Sequence, residues 1–278
     1  MRLSPAMFLV PAVLPAAVSP TATDLGVEFL GLPLTNSIVT TWIIGALIIL
    51  GVRLAVGTPR LVPGKGQGVV EGLALGLRDT LEPIVGKRMI GKVFPLLCGF
   101  FVFILLMNWS GLLPGVGTLK VGSPESWKDL IRPANSDLNT TFALSVVSFA
   151  AWTYFVLRYA GPKVLVHDLF GNKADRKEIG TPMWLALGFI FLGVGCIEVV
   201  SILFRLISLS FRLYGNVFGG ENLIHSLGAL APYVVPALAA GLEVLVGLIQ
   251  AFVFTLLSAV YIGLICNHEG GHDEEHAH

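Results

Sequence analysis

Charge is what this sequence has least of. Only 13% of its 278 residues are Asp, Glu, Lys or Arg, about half the share usual in a soluble domain. With 54% hydrophobic residues and a mean hydropathy of +0.79, a soluble fold of this size could not hide its apolar surface. The chain reads as an integral membrane protein. Charge of one sign is missing too: 18 Lys+Arg balance 18 Asp+Glu, with no basic stripe, which argues against a nucleic-acid partner. Cysteine is scarce. Cys98, Cys196 and Cys266 lie in or at the end of apolar runs and read as small hydrophobes rather than a disulfide framework. There is no HExxH pair, no Cys–His cluster and no phosphate-binding Walker A loop.

What is present is a series of charge-free stretches: Phe29–Val52, Val93–Leu119, Leu138–Leu157, Ile179–Ile197, Asn222–Leu242 and Val244–His268. A bilayer core takes roughly 20 apolar residues to span. The first three are clear spans; single charges interrupt the rest. The expected fold is an all-α membrane protein of five embedded helices plus a surface helix. Loop charge orients it. Arg53, Arg60, Lys65, Arg78, Lys87, Arg88 and Lys92, then Arg158, Lys163, Lys173, Arg176 and Lys177, put twelve cations on one side. The other side has Arg2, Lys120, Lys128 and Arg132. The positive-inside rule makes the twelve-cation side cytoplasmic. The N-terminus is then outside, the C-terminus inside.

Residues 1–28 form an N-terminal segment outside the membrane. Met1–Ser19 has the outline of a cleavable signal, while Pro11, Pro15 and Pro20 argue against a stable span; a cleaved signal and a retained tail both fit. Residues 29–266 form one membrane domain. Within it, Gly68–Val85 places Val69, Val70, Leu73, Leu77, Leu81 and Ile84 at three- and four-residue steps, an amphipathic helix lying on the cytoplasmic surface or packed on protein. Residues 267–278 are a tail holding His268, His272, His276, His278 and four acids. It reads as a solvated tail or a metal-binding tract.

The hairpin over residues 183–266 is too long to stand upright. Between Pro182 and Pro232 no proline falls, so Met183–Leu230 allows a 48-residue helix, about 70 Å at 1.5 Å per residue. Pro236–Cys266 would run about 46 Å, against a hydrocarbon core of roughly 30 Å. Strong tilt relieves this, or breaks at Gly215, Gly219, Gly220 or Gly228. Such a hairpin makes sense lying against another protein. Charges sit inside it: Glu198, Arg205, Arg212, Glu221 and Glu243. Each costs about 2.5–3.5 kcal/mol at a helix centre, so their default meaning is function. Arg212 has no other charge for six residues before it and eight after, so snorkelling does not explain it.

Glu198, Arg205 and Arg212 are seven apart and share a face, with Ser201, Ser208 and Asn216 on or near it. Glu221 turns to the opposite side, and His225 stands one turn beyond it. On the second arm Glu243 and Gln250 face together. Two offset polar patches thus flank one fixed cation. A guanidinium has no acceptor and stays protonated, so it blocks protons and pairs with carboxylates; Glu and His relay them.

The run Arg212-Leu-Tyr-Gly-Asn-Val-Phe-Gly-Gly-Glu221 resembles the R-L-x-G-N-x-x-x-G-E signature of subunit a of rotary F-type ATP synthases. Gln250-Ala-Phe-Val-Phe-Thr-Leu-Leu-Ser-Ala-Val-Tyr261 resembles that family's Q-A-x-[IV]-F-x-x-L-x-x-x-Y. Met107-Asn108 with Leu112-Leu113-Pro114, and Asp137-Leu138-Asn139-Thr140-Thr141, are similar to it as well. The resemblance covers residues 36–266. It implies a stator subunit beside a rotating ring of c subunits, with peripheral-stalk b subunits as further partners, in the bacterial inner membrane. It implies that Arg212 faces the ring carboxylate, with Asn216 and Gln250 close by. It puts Glu221 and Glu243 on the outer half-channel, with His225 joining their relay. Glu198 and Ser208 line the cytoplasmic half-channel, beside Arg205. One departure is that some bacterial members carry His where this chain has Glu243. No cofactor or metal is implied, nor a catalytic site of the chain's own, and H+ against Na+ stays open. A self-contained ion-coupled transporter would carry an internal repeat, and an intramembrane hydrolase a nucleophile–base pair. The sequence displays neither.

Overall fold

The computed structural model describes residues 22, 24–29, 32–113, 120–121, 128–129, 132–162, 181–230 and 234–266. Residues 1–21 and the tail over 267–278, with their expected signal and metal-binding tract, lie outside the described residues. Six long helices dominate: α1 (Asn36–Val56), α2 (Lys65–Val85), α3 (Lys87–Ser110), α4 (Leu138–Phe155), α5 (Thr181–Leu230) and α6 (Val234–Cys266). All but α2 are long and apolar enough to cross a membrane. Two short antiparallel ribbons join them. β1 (Asp24–Phe29) pairs with β2 (Leu32–Thr35), and β3 (Lys120–Val121) with β4 (Lys128–Asp129).

The span expected from Phe29 starts as helix only at Asn36. Pro33 sits in β2 instead, where a ribbon made only of edge strands tolerates its missing N–H. At the other membrane helices the charge-free runs and the helices differ mainly at their ends. Lys87, Arg88 and Lys92 occupy the first two turns of α3, where long cationic side chains reach water. The last three runs merge into two continuous helices. α5 passes through Gly215, Gly219, Gly220 and Gly228 without a break, so the expected weak points do not open. In lipid every backbone group needs an internal partner, which favours the unbroken ladder. At 1.5 Å per residue its 50 residues run about 75 Å, so the length is accommodated by tilt or bending rather than interruption.

The surface helix α2 begins three residues before the expected Gly68. Its apolar stripe divides. Leu77, Leu81 and Val85 are buried, while Val69 and Leu73 are exposed, so one half packs on protein and the other is left open. The next helix starts after a single residue. Gly86 holds φ at 88°, a left-handed turn that a side chain would strain. α3 and α6 form the centre: Leu97, Ile104, Phe254 and Ile262 are buried, and Phe100 meets Phe254 edge-on at 5.5 Å. α4 packs along α5 and α6, and Asp137 caps α4 by accepting from the Asn139 N–H at 3.2 Å. α5 is different. Of its apolar stretch only 6% is buried, against 44% for α3 and for α6, with α1 nearly as bare at 11%.

Candidate functional site

At the end of the bundle that carries the α5–α6 turn, polar side chains from five elements meet. The Ala134–Ser136 turn before α4 is buried throughout. It follows Arg132, itself buried, whose Nε donates to Ser136 Oγ at 2.8 Å and whose backbone N–H donates to Thr40 Oγ1 of α1 at 3.3 Å. Arg132 Nη2 lies 3.9 Å from Glu221 Oε2 on α5. Asn135 donates to Asn108 Oδ1 at 2.8 Å. Asn108 and Trp109, at the end of α3, reach the backbone of α6. The first donates to the Gly247 carbonyl at 3.1 Å, the second to the Val244 carbonyl at 3.0 Å.

These two bonds hold α6 at the residue after Glu243 and one turn beyond it. The Glu243 carboxylate then lies against Gly220 so closely that a Cβ there would collide with it. Glycine at 220 is what lets the second arm bring its carboxylate beside Glu221. Two half-buried carboxylates and one buried guanidinium from three segments are thereby gathered in one patch, with the chemistry to accept, hold and pass a proton. His225 lies in α5, but its side chain is outside the described residues.

Arg212 is placed otherwise. Leu209, Leu213 and Val217 turn into the core. Arg212 is exposed, and so are Ser208, Gly215 and Gly219. Exposed apolar side chains occur along both arms: Leu203, Phe204, Ile207 and Phe211 on α5, Leu245, Leu248 and Ile249 on α6. Among the described residues no carboxylate comes within 4.0 Å of its guanidinium. Asn216 is half-buried and Gln250 buried. The Gln250 Nε2 has no hydrogen-bond acceptor among the described residues.

Further toward the open end of the hairpin Glu198 is exposed. Arg205 is half-buried, with its guanidinium 3.8 Å over the ring of Tyr261. The seven-residue step keeps the three on one side of α5, drifting only about 20° per step. Arg205 differs in that its side chain reaches across to α6, while Arg212 and Glu198 are exposed.

Sequence reading had counted Arg132 only as a loop charge and had not placed Asn135, Trp109 or Gly220 at the site. Arg132 did carry a signal, as a lone cation just ahead of a capped helix start. Nothing local tied it to Glu221.

Fold and site together define a multi-pass helical membrane protein that carries titratable groups into its span. The family whose model is described as "ATP synthase A chain" matches residues 38–263. The chain belongs to that family, and is a membrane component of an ATP synthase. It is similar to the ATP synthase subunit a of Geotalea daltonii, with 33% identity covering 86% of this chain and 90% of that one. It is similar to that of Moorella thermoacetica, at 31% over 83% and 90%, and to that of Mycobacterium marinum, at 29% over 88% and 92%.

Proposed function

We propose that this chain is the stator of a rotary motor in a bacterial plasma membrane, its N-terminus outside and its C-terminus cytoplasmic. The uncovered face of α5 and α6 lies against a ring of c subunits, and b subunits of the peripheral stalk hold the chain in place. Protons enter from outside through Glu221, His225 and Glu243. They neutralise a ring carboxylate, which can then turn into lipid. A carboxylate arriving at Arg212 gives up its proton toward the Glu198 and Ser208 side and is stabilised as an anion by the guanidinium. Asn216 and Gln250 flank that exchange, and Arg205 borders the inner route. Each charge crossing 100 mV releases about 2.3 kcal/mol, which the rotor passes on.

One observation carries this reading. In a member of the ATP synthase A chain family, Arg212 stands on an apolar, uncovered helix face with no carboxylate near it among the described residues. A cation so placed in a membrane calls for an anion brought by a partner. The test is proton-driven ATP synthesis in inverted vesicles carrying Arg212→Ala. Synthesis should vanish while the complex still assembles; near-normal synthesis would overturn the assignment.

A further inference from the structure

Behind the open face, a second polar line runs through the bundle. Thr141, Ser145, Ser148 and Trp152 recur on one face of α4, and all are buried. Three of the four are cross-linked to the hairpin, while the Ser145 hydroxyl donates to the Thr141 carbonyl of its own helix at 3.1 Å. The Thr141 hydroxyl meets Ser210 at 3.3 Å, the Ser148 hydroxyl meets Ser258 at 3.0 Å, and Trp152 Nε1 donates to the Tyr261 carbonyl at 3.0 Å. At one end this line begins just after the Asp137 cap and the buried Ala134–Ser136 turn, where the carboxylate patch lies. At the other it opens into a cavity of about 30 Å³ lined by Ser145, Ser148, Ser258, Trp152, Arg205 and Tyr261 among others. That is room for about two waters, in a partly open cavity whose lining is mainly apolar, with Phe149, Ile202, Leu206 and Leu209 among it, and whose hydroxyls come from the serines.

Hydroxyls and trapped water can pass protons. A seam of this kind, once water links its hydroxyls along α4, would let protons cross inside one chain without turning any rotor. Arg205 sits at its inner mouth. One face of its guanidinium is covered by the Tyr261 ring. Among the described residues its N–H groups have no hydrogen bond and no carboxylate, so its charge is not neutralised there. A fixed positive charge in a narrow, low-dielectric opening repels hydronium and cannot accept its proton.

We propose that Arg205 is a second blocking cation, which closes the hydroxyl-lined seam between α4, α5 and α6 so that protons cross only along the face carrying Arg212. The inference rests on the ion-translocating reading above. It gives Arg205 a duty distinct from that of Arg212: one cation meets the rotor, the other prevents a bypass.

The test uses membrane vesicles holding the whole complex. Passive proton leak is measured under an imposed potential. Arg205→Gln should raise leak on the order of tenfold, and Arg205→Met, equally uncharged but apolar, should do the same. Arg205→Lys should stay tight. Adding Ser148→Ala and Ser258→Ala to Arg205→Gln should restore tightness, because the seam loses its hydroxyls. Uncharged variants as tight as wild type would overturn the proposal. A leak that survives the serine replacements would overturn it too, since the protons would be crossing elsewhere. Arg212→Ala in the same vesicles separates the two levels. If it still supports synthesis, the underlying reading has failed. If it does not, and Arg205→Gln is tight, only the blocking role has failed.

Discussion

Two charged regions of the same hairpin are handled in opposite ways. At the turn end, Glu221 faces inward and lies 3.9 Å from Arg132, with side-chain exposures of 19% and 7%. Nine residues earlier, Arg212 faces outward among exposed Phe204 and Phe211. Both regions place charge where lipid or protein should be, and both face the same desolvation penalty. The first meets it within the chain. The second leaves it open. Charges the fold compensates itself are parts already in place, and a charge left on an apolar face marks where another molecule must complete the structure.

The sharpest way to break this comparison is to remove the open cation. Arg212→Ala should abolish coupled synthesis, and Arg212→Lys should fare little better, because a point ammonium replaces the planar fork. Neither should weaken the isolated chain much, since Arg212 makes no ion pair within it among the described residues. The compensated region should behave in reverse. Arg132→Met removes one ion-pair partner from the partly buried Glu221, a loss of up to about 3 kcal/mol, the low end for broken buried pairs. Yield and thermal stability of the complex would report it. Combining it with Glu221→Gln should recover much of that stability, though not proton entry. A stable Arg132→Met single variant would mean that the pair is not what holds Glu221 in place.

A smaller effect separates two neighbouring glycines. A Cβ at Gly220 would collide with the Glu243 carboxylate, whereas at Gly219 it meets nothing within 4 Å. Gly220→Ala should displace Glu243 and slow synthesis on the order of tenfold or more, as misplaced reacting groups do. Gly219→Ala should be silent for the fold of this chain. If it also impairs synthesis in the assembled complex, something outside the chain packs against residue 219, which sharpens the claim that this face is covered. Rates from inverted vesicles, set beside complex yield, distinguish the outcomes.

Much of this architecture was readable in advance, for definite reasons. Charge-free runs locate spans because the bilayer penalises each charge independently of what else the chain does, so five helices followed from a one-dimensional pattern. The overlong hairpin and its intramembrane charges were legible in the same way. Helical spacing separated Arg212 from Glu221, and the structure turns them to different sides. What could not be read were meetings between distant segments. Arg132 and Glu221 are 89 residues apart, and Asn108 and Gly247 are 139 apart. No periodicity relates a loop to a helix that far away. The position of a short buried turn such as Ala134–Ser136 depends on packing, which composition does not encode. Spacing put Arg205 on the side of α5 that carries Arg212, but it could not supply the Tyr261 ring of α6, 56 residues away, under the Arg205 guanidinium.

The smallest expected effect concerns how firmly the compensated region is held. Asn108 and Trp109 each donate one bond to an α6 carbonyl, and the two are not equivalent. Asn108 is buried and also accepts from Asn135, so Asn108→Ala strands a second polar group, at a cost of about 1–3 kcal/mol. Trp109→Phe keeps the ring and removes only the N–H. The Val244 carbonyl it leaves is a backbone group of an intact helix, so the loss should be about 0.6–2 kcal/mol, the range of interhelical hydrogen bonds in membranes. Thermal unfolding of the detergent-solubilised complex would rank the two. If Trp109→Phe cost as much as Asn108→Ala, the indole bond would be fixing the rotation of α6. Synthesis should then fall with stability, because Glu243 would lose its seat beside Gly220. If it cost little and synthesis held, the asparagine pair would be the anchor of α6, with Trp109 contributing packing alone.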